Sequence, residues 1–454
     1  MSRQPSPPLP RKVVVVGMGV SGRSVCELLL QQGVEVIATD LRTRDQFDGV
    51  LDPLEEKGCH LRLGSHRRSD FLQADQIVVS PGVPLDLEPL QEAARQGLEI
   101  IGELEWAWRQ VALPVVAVTG TNGKTTTTSL IGEMLKASGK RVFVGGNIGT
   151  PLSRWLLGGE SAEILVLEVS SFQLDTASRF RPQVGVLLNI TEDHLDRYRG
   201  FAAYASSKFS LFTRQDATDV AITNADDPLC AEGHSAMRSR LLQFSRKNER
   251  TQATLHGRQL VAAIPWQAPF TLSLEDARLQ GIHNEENILA AVLAAAVMEA
   301  TPPAMQEVLR SYGGLPHRVE WVRQWRGIDF YNDSKGTNVG AVVKAVENFQ
   351  RPVLLLLGGR DKLGPYQPLG EALKTHGKAA FAFGEAASRI HEELKGWLPV
   401  SVFPDLATAF EEALAVAEAG DVVLLSPACS SFDQYDSYAH RGDHFKGLVR
   451  ALSD

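Results

Sequence analysis

Short runs of Val, Ile and Leu recur along this chain, each followed by a longer amphipathic stretch, and this alternation restricts the fold more than any other feature. The runs lie at 12–16, 35–39, 76–79, 115–119, 164–169, 184–189, 220–223, 352–357, 379–383 and 422–426. A strand that is apolar throughout is buried on both faces, and helical connections between such strands build parallel sheets covered on both sides. The expected class is therefore α/β. No unit of roughly 20–50 residues repeats, so a solenoid is not expected.

At about 150 residues per domain, the 454 residues suggest three domains. The pattern restarts at Val115–Gly120, after a helical stretch around Glu103–Gln110, and again beyond the cluster of Gly313, Gly314 and Pro316. Domains are accordingly expected at 1–105, 106–314 and 315–454, with a β-rich excursion between Arg246 and Leu274 inside the second. Lys and Arg total 46 against 54 Asp and Glu, a net charge of -8 with no dense basic block, which argues against a nucleic-acid partner. The longest apolar stretch, 288–298, falls short of the roughly 20 residues that span a bilayer, so no membrane partner is expected. The segment Met1–Arg11 is Pro-rich, and the apolar run Val13–Val16 behind it is broken at once by Gly17, so no signal-peptide core is expected. The cysteines Cys26, Cys59, Cys230 and Cys429 make no CxxC pair, which points to reduced thiols in the cytoplasm.

Two glycine loops carry the first chemistry. Gly17-Met-Gly-Val-Ser-Gly22 follows a valine strand, and Asp40 ends the next strand, which is the pattern of a dinucleotide fingerprint. It requires only close approach of backbone to phosphate at a helix N-terminus, so NAD and other nucleotide diphosphates both satisfy it, and so do glycines that merely let a helix pack on a strand. Thr119-Gly-Thr-Asn-Gly-Lys-Thr-Thr126 also runs from strand to helix. Backbone N–H groups from Gly120, Thr121, Asn122 and Gly123 would cradle phosphates, Lys124 would neutralise them, and the hydroxyl of Thr125, next to Thr126, would bind Mg²⁺. Val118 stands where a strict Walker motif has glycine. A dehydrogenase needs the first loop and a simple ATPase the second; an enzyme that activates a nucleotide-borne group with ATP needs both.

Polar clusters at further strand ends fit a site edge. Glu168 precedes Ser170-Ser-Phe-Gln173 and is a hard-oxygen candidate for Mg²⁺ or an acidic helix cap. Asn189-Ile-Thr-Glu-Asp-His194 repeats the arrangement, while Lys208 in Tyr204-Ala-Ser-Ser-Lys208 and Asn287 in His283-Asn-Glu-Glu-Asn287 read by themselves as an exposed helix lysine and a helix start. In the last third, His317-Arg318, Asp333-Ser-Lys-Gly-Thr337, Gly358-Gly-Arg-Asp-Lys362 and Ser426-Pro-Ala-Cys-Ser-Ser431 cluster in the same way. Cys429 reads as buried filler rather than a nucleophile, with no His nearer than His440.

Taken in order, GTNGKTT at 120–126, GNIG at 146–149, LEVSSFQL at 167–174, TEDHLDRY at 191–198, HNEEN at 283–287, LPHRVE at 315–320, NDSKGTN at 332–338 and SPACSSFDQY at 426–435 resemble the bacterial Mur ligases across nearly the whole chain. The resemblance implies a UDP-binding Rossmann-like domain, a central ATP-binding domain of P-loop type and a Rossmann-like C-terminal domain that closes on the site. It implies ATP-dependent addition of D-glutamate to UDP-N-acetylmuramoyl-L-alanine through an acyl phosphate, in peptidoglycan precursor synthesis that serves cell division and cell shape, by a monomer. Under the resemblance, Lys124 and Thr125 hold ATP phosphates and Mg²⁺, Glu168 coordinates the same metal, and His194 with a carbamylated Lys208 binds a second Mg²⁺. Asn287, Arg318 and Asp333 contact the nucleotide. Asn147, Ser170 and Gln173 face the muramoyl group, and Asp40, Leu41 and Arg42 lie near the uridine. Thr337, Lys362, Ser431 and Tyr438 receive D-glutamate.

Tyr438 stands where the pattern has Phe, Arg360-Asp361 replaces smaller residues, and the Asp-Asn-Pro-Arg run of diaminopimelate-adding relatives is absent. Three rival readings remain. A folylpolyglutamate synthase-like ligase should lack the Gly17–Gly22 domain, an NAD-dependent dehydrogenase leaves the second loop unexplained, and a non-catalytic nucleotide sensor needs no acceptor site.

Overall fold

A computed structural model describes residues 9–158, 161–191, 197–233, 237–279, 281–314, 316–347, 349–361 and 365–453, whose strands form three sheets. In the first sheet β1 (Lys12–Val16), β2 (Glu35–Asp40), β3 (His60–Leu63), β4 (Gln76–Val79) and β5 (Glu99–Gly102) are parallel in the order β3-β2-β1-β4-β5. Val13 to Val16 are fully buried, as strands covered on both faces require. The order reverses between β1 and β4, which opens a crevice at their C-terminal ends, between the Gly17 loop and Ser80.

The second sheet contains β6 (Val115–Thr119), β7 (Val142–Gly146), β8 (Ile164–Glu168), β9 (Val184–Leu187), β10 (Val220–Asn224), β11 (Arg240–Ser245), β12 (Ala253–His256), β13 (Gln259–Ala262) and β14 (Phe270–Ser273). Its order is β14-β13-β12-β11-β10-β9-β6-β8-β7. Pairing is parallel from β7 to β12 and antiparallel through β13 and β14, so the excursion expected at 246–274 is a meander extending the sheet. Val118 pairs with Glu168 and Thr119 with Leu187, a register that brings the phosphate loop, Glu168 and Asn189 to one edge. The apolar run at 288–298 lies in the helix Ile282–Val297, where Ile288 to Ala295 are fully buried, so it is a core helix.

These two sheets belong to one compact unit, Met1–Ala277 with His283–Ser311. The helix Glu103–Trp108 joins them. Gly102 N–H donates to the Thr176 carbonyl at 3.0 Å, and the Glu103 carboxylate accepts from Ser153 N–H at 2.7 Å. A Cβ on Gly102 would fall 2.2 Å from the Thr176 hydroxyl, which is why glycine occupies this junction.

The second unit, Arg278–Ile282 with Tyr312–Asp454, holds β15 (Glu320–Trp325), β16 (Ile328–Asn332), β17 (Val353–Gly358), β18 (Gly377–Phe383), β19 (Val400–Phe403) and β20 (Val422–Leu425). Their order is β15-β16-β20-β17-β18-β19, parallel except for the β15–β16 hairpin. All four cysteines are free and buried. Cys26 and Cys59, 33 positions apart, nonetheless meet and hydrogen-bond in the first core.

Candidate functional site

The crevice of the first sheet is a cleft of about 400 Å³ lined by Gly17, Gly19, Asp40, Leu41, Arg42, His66 and Ser80 among others. Its floor is the glycine loop. Gly17 has φ +89°, and a Cβ on Gly22 would lie 1.9 Å from the Gly17 carbonyl oxygen, so the fingerprint glycines answer to real close approaches. The Ser80 hydroxyl donates to that same carbonyl at 2.7 Å.

Both oxygens of Asp40 are engaged by protein. Oδ2 accepts from Met18 N–H at 2.7 Å and from the Arg42 guanidinium at 2.8 Å, and Oδ1 accepts from the Arg42 backbone at 2.9 Å. Burial pushes this carboxyl up, but the Arg42 and Met18 donors outweigh it and hold it at about 2. Asp40 therefore ties the loop to β2, and Leu41, 60% exposed on the rim, is left to meet a ligand. His66 Nδ1 sits 2.8 Å from the Thr39 hydroxyl on the cleft wall, and burial lowers its pKa.

The second loop is built with cations. Lys124 Nζ donates to the carbonyls of Gly120 and Thr121, both at 2.8 Å, and Lys208 Nζ donates to the same Gly120 carbonyl at 2.8 Å. Lys208 is 1% exposed, so it is no solvated helix lysine, and it lies 4.5 Å above the Tyr204 ring. Thr125 and Thr126 stand in the first turn of the helix Lys124–Ala137, whose N-cap Gly123 has φ +83°. A Cβ there would meet Asn287 Oδ1 at 2.1 Å. Asn287 is buried under the loop and accepts from the Thr127 hydroxyl at 3.2 Å. Two ammonium groups and a helix N-terminus at one loop make an anion site with unusually concentrated positive charge.

Glu168 faces this loop across the register. One carboxylate oxygen accepts from the Asn147 amide at 2.7 Å, while the other is buried without a hydrogen-bond partner among the described groups. An orphaned, buried carboxylate oxygen beside a phosphate loop fits a hard divalent cation such as Mg²⁺. No group of three His, Cys, Asp or Glu among the described residues could hold a metal unaided. His194 lies outside the described residues. Ser170 and Gln173 are engaged with each other: the Ser170 hydroxyl accepts from Gln173 N–H, and Gln173 Oε1 accepts from Ser170 N–H at 3.0 Å, a reciprocal helix cap.

Two groups quoted in the sequence without a role of their own, Asn189 and Tyr204, hold the loop, and Asp227, not singled out there, supports it through the segment after Asn189. Asn189 Oδ1 accepts from Asn122 N–H at 2.8 Å, the Tyr204 hydroxyl lies 3.1 Å from that of Thr121, and Asp227 accepts from Ile190 N–H at 3.0 Å. The signal that could have found them is position, since Asn189 and Asp227 follow the C-terminal ends of β9 and β10.

In the second unit, Arg318 is flanked by His317 at φ +63° and Val319 at φ +45°. A β-branched residue in the left-handed region is strained by about 1–3 kcal/mol, a feature of backbones held for function. Asp333 accepts from the Ser426 hydroxyl at 2.6 Å and from Val319 N–H at 3.3 Å; burial pushes its carboxyl up to about 7 against those donors and the charges of Arg318 and Arg441. Ser431 is buried. Tyr438 is 36% exposed, with the Lys335 ammonium 5.0 Å above its ring. Thr337 lies between these loops, in the turn after β16. Lys362 lies outside the described residues. Cys429 is buried with its sulfur 3.2 Å from the Tyr366 hydroxyl, which supports filler over nucleophile. The buried guanidinium of Arg441, unremarked in the sequence, reaches several of these loops.

Comparison with known proteins matches three family patterns: "Mur ligase MurD-like, N-terminal domain" over residues 11–102, "Mur ligase middle domain" over 118–295, and "Mur ligase, glutamate ligase domain" over 317–429. A UDP-N-acetylmuramoylalanine–D-glutamate ligase of Desulfosudis oleivorans is 45% identical over 445 residues, covering 98% of this chain and 97% of that protein. Its counterpart in Geotalea daltonii is 42% identical, with 98% of each covered. Among solved structures, a pseudomurein peptide ligase type C from Methanothermus fervidus shares the fold, with a TM-score of 0.58 at 19% identity over 98% of this chain and 100% of that one.

Proposed function

Because this chain belongs to the Mur ligase family and aligns end to end with its D-glutamate-adding members, we propose that the two units perform the family's reaction with the residues named below. The enzyme is an ATP-dependent ligase that adds D-glutamate to UDP-N-acetylmuramoyl-L-alanine in peptidoglycan synthesis. The observation that carries the residue assignment is the pairing of the Lys124–Lys208 loop with the orphaned oxygen of Glu168 across one sheet edge.

A carboxylate is a poor electrophile, so its oxygen first attacks the γ-phosphorus of ATP and ADP leaves with the electron pair of the broken P–O bond. Lys124 and the amides of Gly120–Thr126 oppose the mutual repulsion of the anions. Thr125 and Glu168 would hold one Mg²⁺, and His194 with Lys208, the latter as its carbamate, a second. When bound, Mg²⁺ supplies charge neutralisation on the phosphoryl oxygens. The amine of D-glutamate then attacks the acyl carbon, and phosphate departs from the tetrahedral intermediate with the C–O electron pair. Exclusion of water protects the acyl phosphate between these steps.

Asp40 and Arg42 set the shape of the uridine cleft, with Leu41 packing on the ligand, and Asn147, Ser170 and Gln173 line the approach of the muramoyl group. Asn287, Arg318 and Asp333 serve the nucleotide, and Thr337, Lys362, Ser431 and Tyr438 receive the amino acid. Domain boundaries fall at 105 and 314. The enzyme works as a monomer, in the cytoplasm, a location that four free thiols support. Phosphate release from ATP with UDP-N-acetylmuramoyl-L-alanine, assayed with and without D-glutamate, tests the whole. Release independent of either substrate overturns it.

A further inference from the structure

Arg441 lies in the helix Tyr438–Arg450 and is fully buried. Its guanidinium donates to three separate loops. Nε reaches the Ser334 hydroxyl at 3.0 Å and Nη2 the Ser334 carbonyl at 3.0 Å; Nη1 reaches the Gly358 carbonyl at 3.2 Å and the Ser430 carbonyl at 3.3 Å; Nη2 also reaches the Cys429 carbonyl at 3.1 Å. A guanidinium carries five N–H donors in a rigid plane, and each has a partner here. The Ser334 hydroxyl passes the network on by donating to the Tyr438 carbonyl at 2.8 Å. A Cβ on Gly359 would sit 2.2 Å from the Ser430 carbonyl and 3.0 Å from Arg441, so the backbone is shaped to admit this side chain.

The loops it touches follow β16, β17 and β20, and of the residues proposed to receive D-glutamate they carry Thr337, the chain leading to Lys362, and Ser431. We propose that Arg441 is a positioning residue of the acceptor-amino-acid site, fixing the spacing of these three strand-end loops and through them the affinity for the incoming amino acid. The proposal rests on the reading that these loops receive D-glutamate. Four carbonyls bound to one planar group, of which that of Ser430 also accepts from Arg360 N–H at 2.9 Å, cannot move independently, and lysine, with three donors at a point, cannot span them. Each carbonyl left buried without a donor would relax toward another partner and take its loop with it.

The test is steady-state kinetics of the full-length enzyme with each of the three substrates varied in turn, alongside borohydride trapping of the acyl phosphate formed without D-glutamate. In Arg441→Lys the KM for D-glutamate should rise at least about tenfold, the KM for ATP should rise less because Asp333 adjoins Ser334, and the KM for the UDP substrate and the yield of trapped acyl phosphate at saturating ATP should stay within about twofold. Ser334→Ala, which removes one acceptor and the link to Tyr438, should raise the same KM by about threefold and decides the matter if Arg441→Lys does not fold. An unchanged KM for D-glutamate in the folded variants, or equal changes in all three KM values, overturns the proposal. Failure of the underlying reading looks different: the unaltered enzyme would then turn over ATP without dependence on D-glutamate.

Discussion

Both glycine loops of the first unit follow a buried parallel strand and enter a helix whose N-cap is glycine, Gly19 in one and Gly123 in the other. Their surroundings differ in charge. At the first, the neighbouring carboxylate, Asp40, is neutralised by Arg42 and spent on Met18 N–H, leaving an anion to be met by backbone amides and an apolar rim. At the second, Lys124 and Lys208 converge on a single carbonyl and a buried carboxylate oxygen stands opposite without a hydrogen-bond partner among the described residues. A loop that only binds a diphosphate needs complementary shape and weak positive potential. A loop that transfers a phosphoryl group must stabilise charge that moves, and the fixed cation of Lys124 with a metal site does that.

Substitutions should separate the two roles. The largest effect is expected at Lys124→Ala: at least about 10³-fold loss of D-glutamate-dependent phosphate release, with binding of the UDP substrate, followed by calorimetry, within about threefold of the unaltered enzyme. Near-native turnover at saturating ATP would erase the contrast. Lys208→Ala should lose about 10²-fold, and acetate should restore part of that, because the carbamate proposed for Lys208 supplies an anionic oxygen where lysine itself supplies only donors. Full activity without acetate would make Lys208 a structural donor to Gly120 and nothing more.

At the first loop, Gly22→Ala places a methyl 1.9 Å from the Gly17 carbonyl, an overlap the loop can relieve only by moving. Over-packing of this kind costs about 1–3 kcal/mol, so affinity for the UDP substrate should fall roughly ten- to hundredfold while ADP binding at the second loop is unchanged. Titration of the unaltered enzyme with NAD should give no heat. Tight NAD binding would return the first loop to the redox reading.

The contrast between the loops was half legible in the sequence. Spacing of Gly17 and Gly22, and of Gly120, Gly123 and Lys124, announces both turns, because only glycine tolerates the left-handed backbone of Gly17, Gly120 and Gly123 and the close approach at Gly22. What surrounds them was hidden, since Asn189 reaches the second loop across 67 positions and Asn287 meets Thr127 across 160. Arg441 lies in a stretch that reads as an amphipathic helix, and its partners are up to 107 positions away. The strands show the same division. Runs at 12–16, 115–119 and 422–426 correspond to interior strands buried on both faces, whereas β3, β5, β7, β15 and β19, all at sheet edges, went unread, as did the interior strand β11, whose sequence also mixes polar and apolar residues. An edge strand such as His60–Leu63 or Glu320–Trp325 mixes polar and apolar residues because part of it meets water, so the apolar run that betrays an interior strand never forms.

The smallest expected effect probes the neutralised carboxylate itself. Asp40 sits at about 2 against an ordinary 3.8, so the folded protein favours its ionised form. A depressed carboxyl contributes stability that is present above about pH 4 and disappears as pH falls through about 2. Arg42 is 47% exposed in this pair, so solvent screens the interaction and the contribution should be about 1 kcal/mol rather than the full value of the shift. Asp40→Asn should therefore be less stable than the unaltered protein by about that amount near neutral pH, and chemical denaturation should find the difference shrinking as pH falls below about 4. Affinity for the UDP substrate should drop only about two- to fivefold, since asparagine keeps an acceptor for Met18 N–H and loses the charge that aligns Arg42. A stability difference that does not change with pH would mean that the bond to Met18 holds the loop and that the charge of Asp40 is incidental. The first loop would then differ from the second in owing nothing to a charged side chain at Asp40, its anion affinity resting on backbone amides and the helix N-terminus.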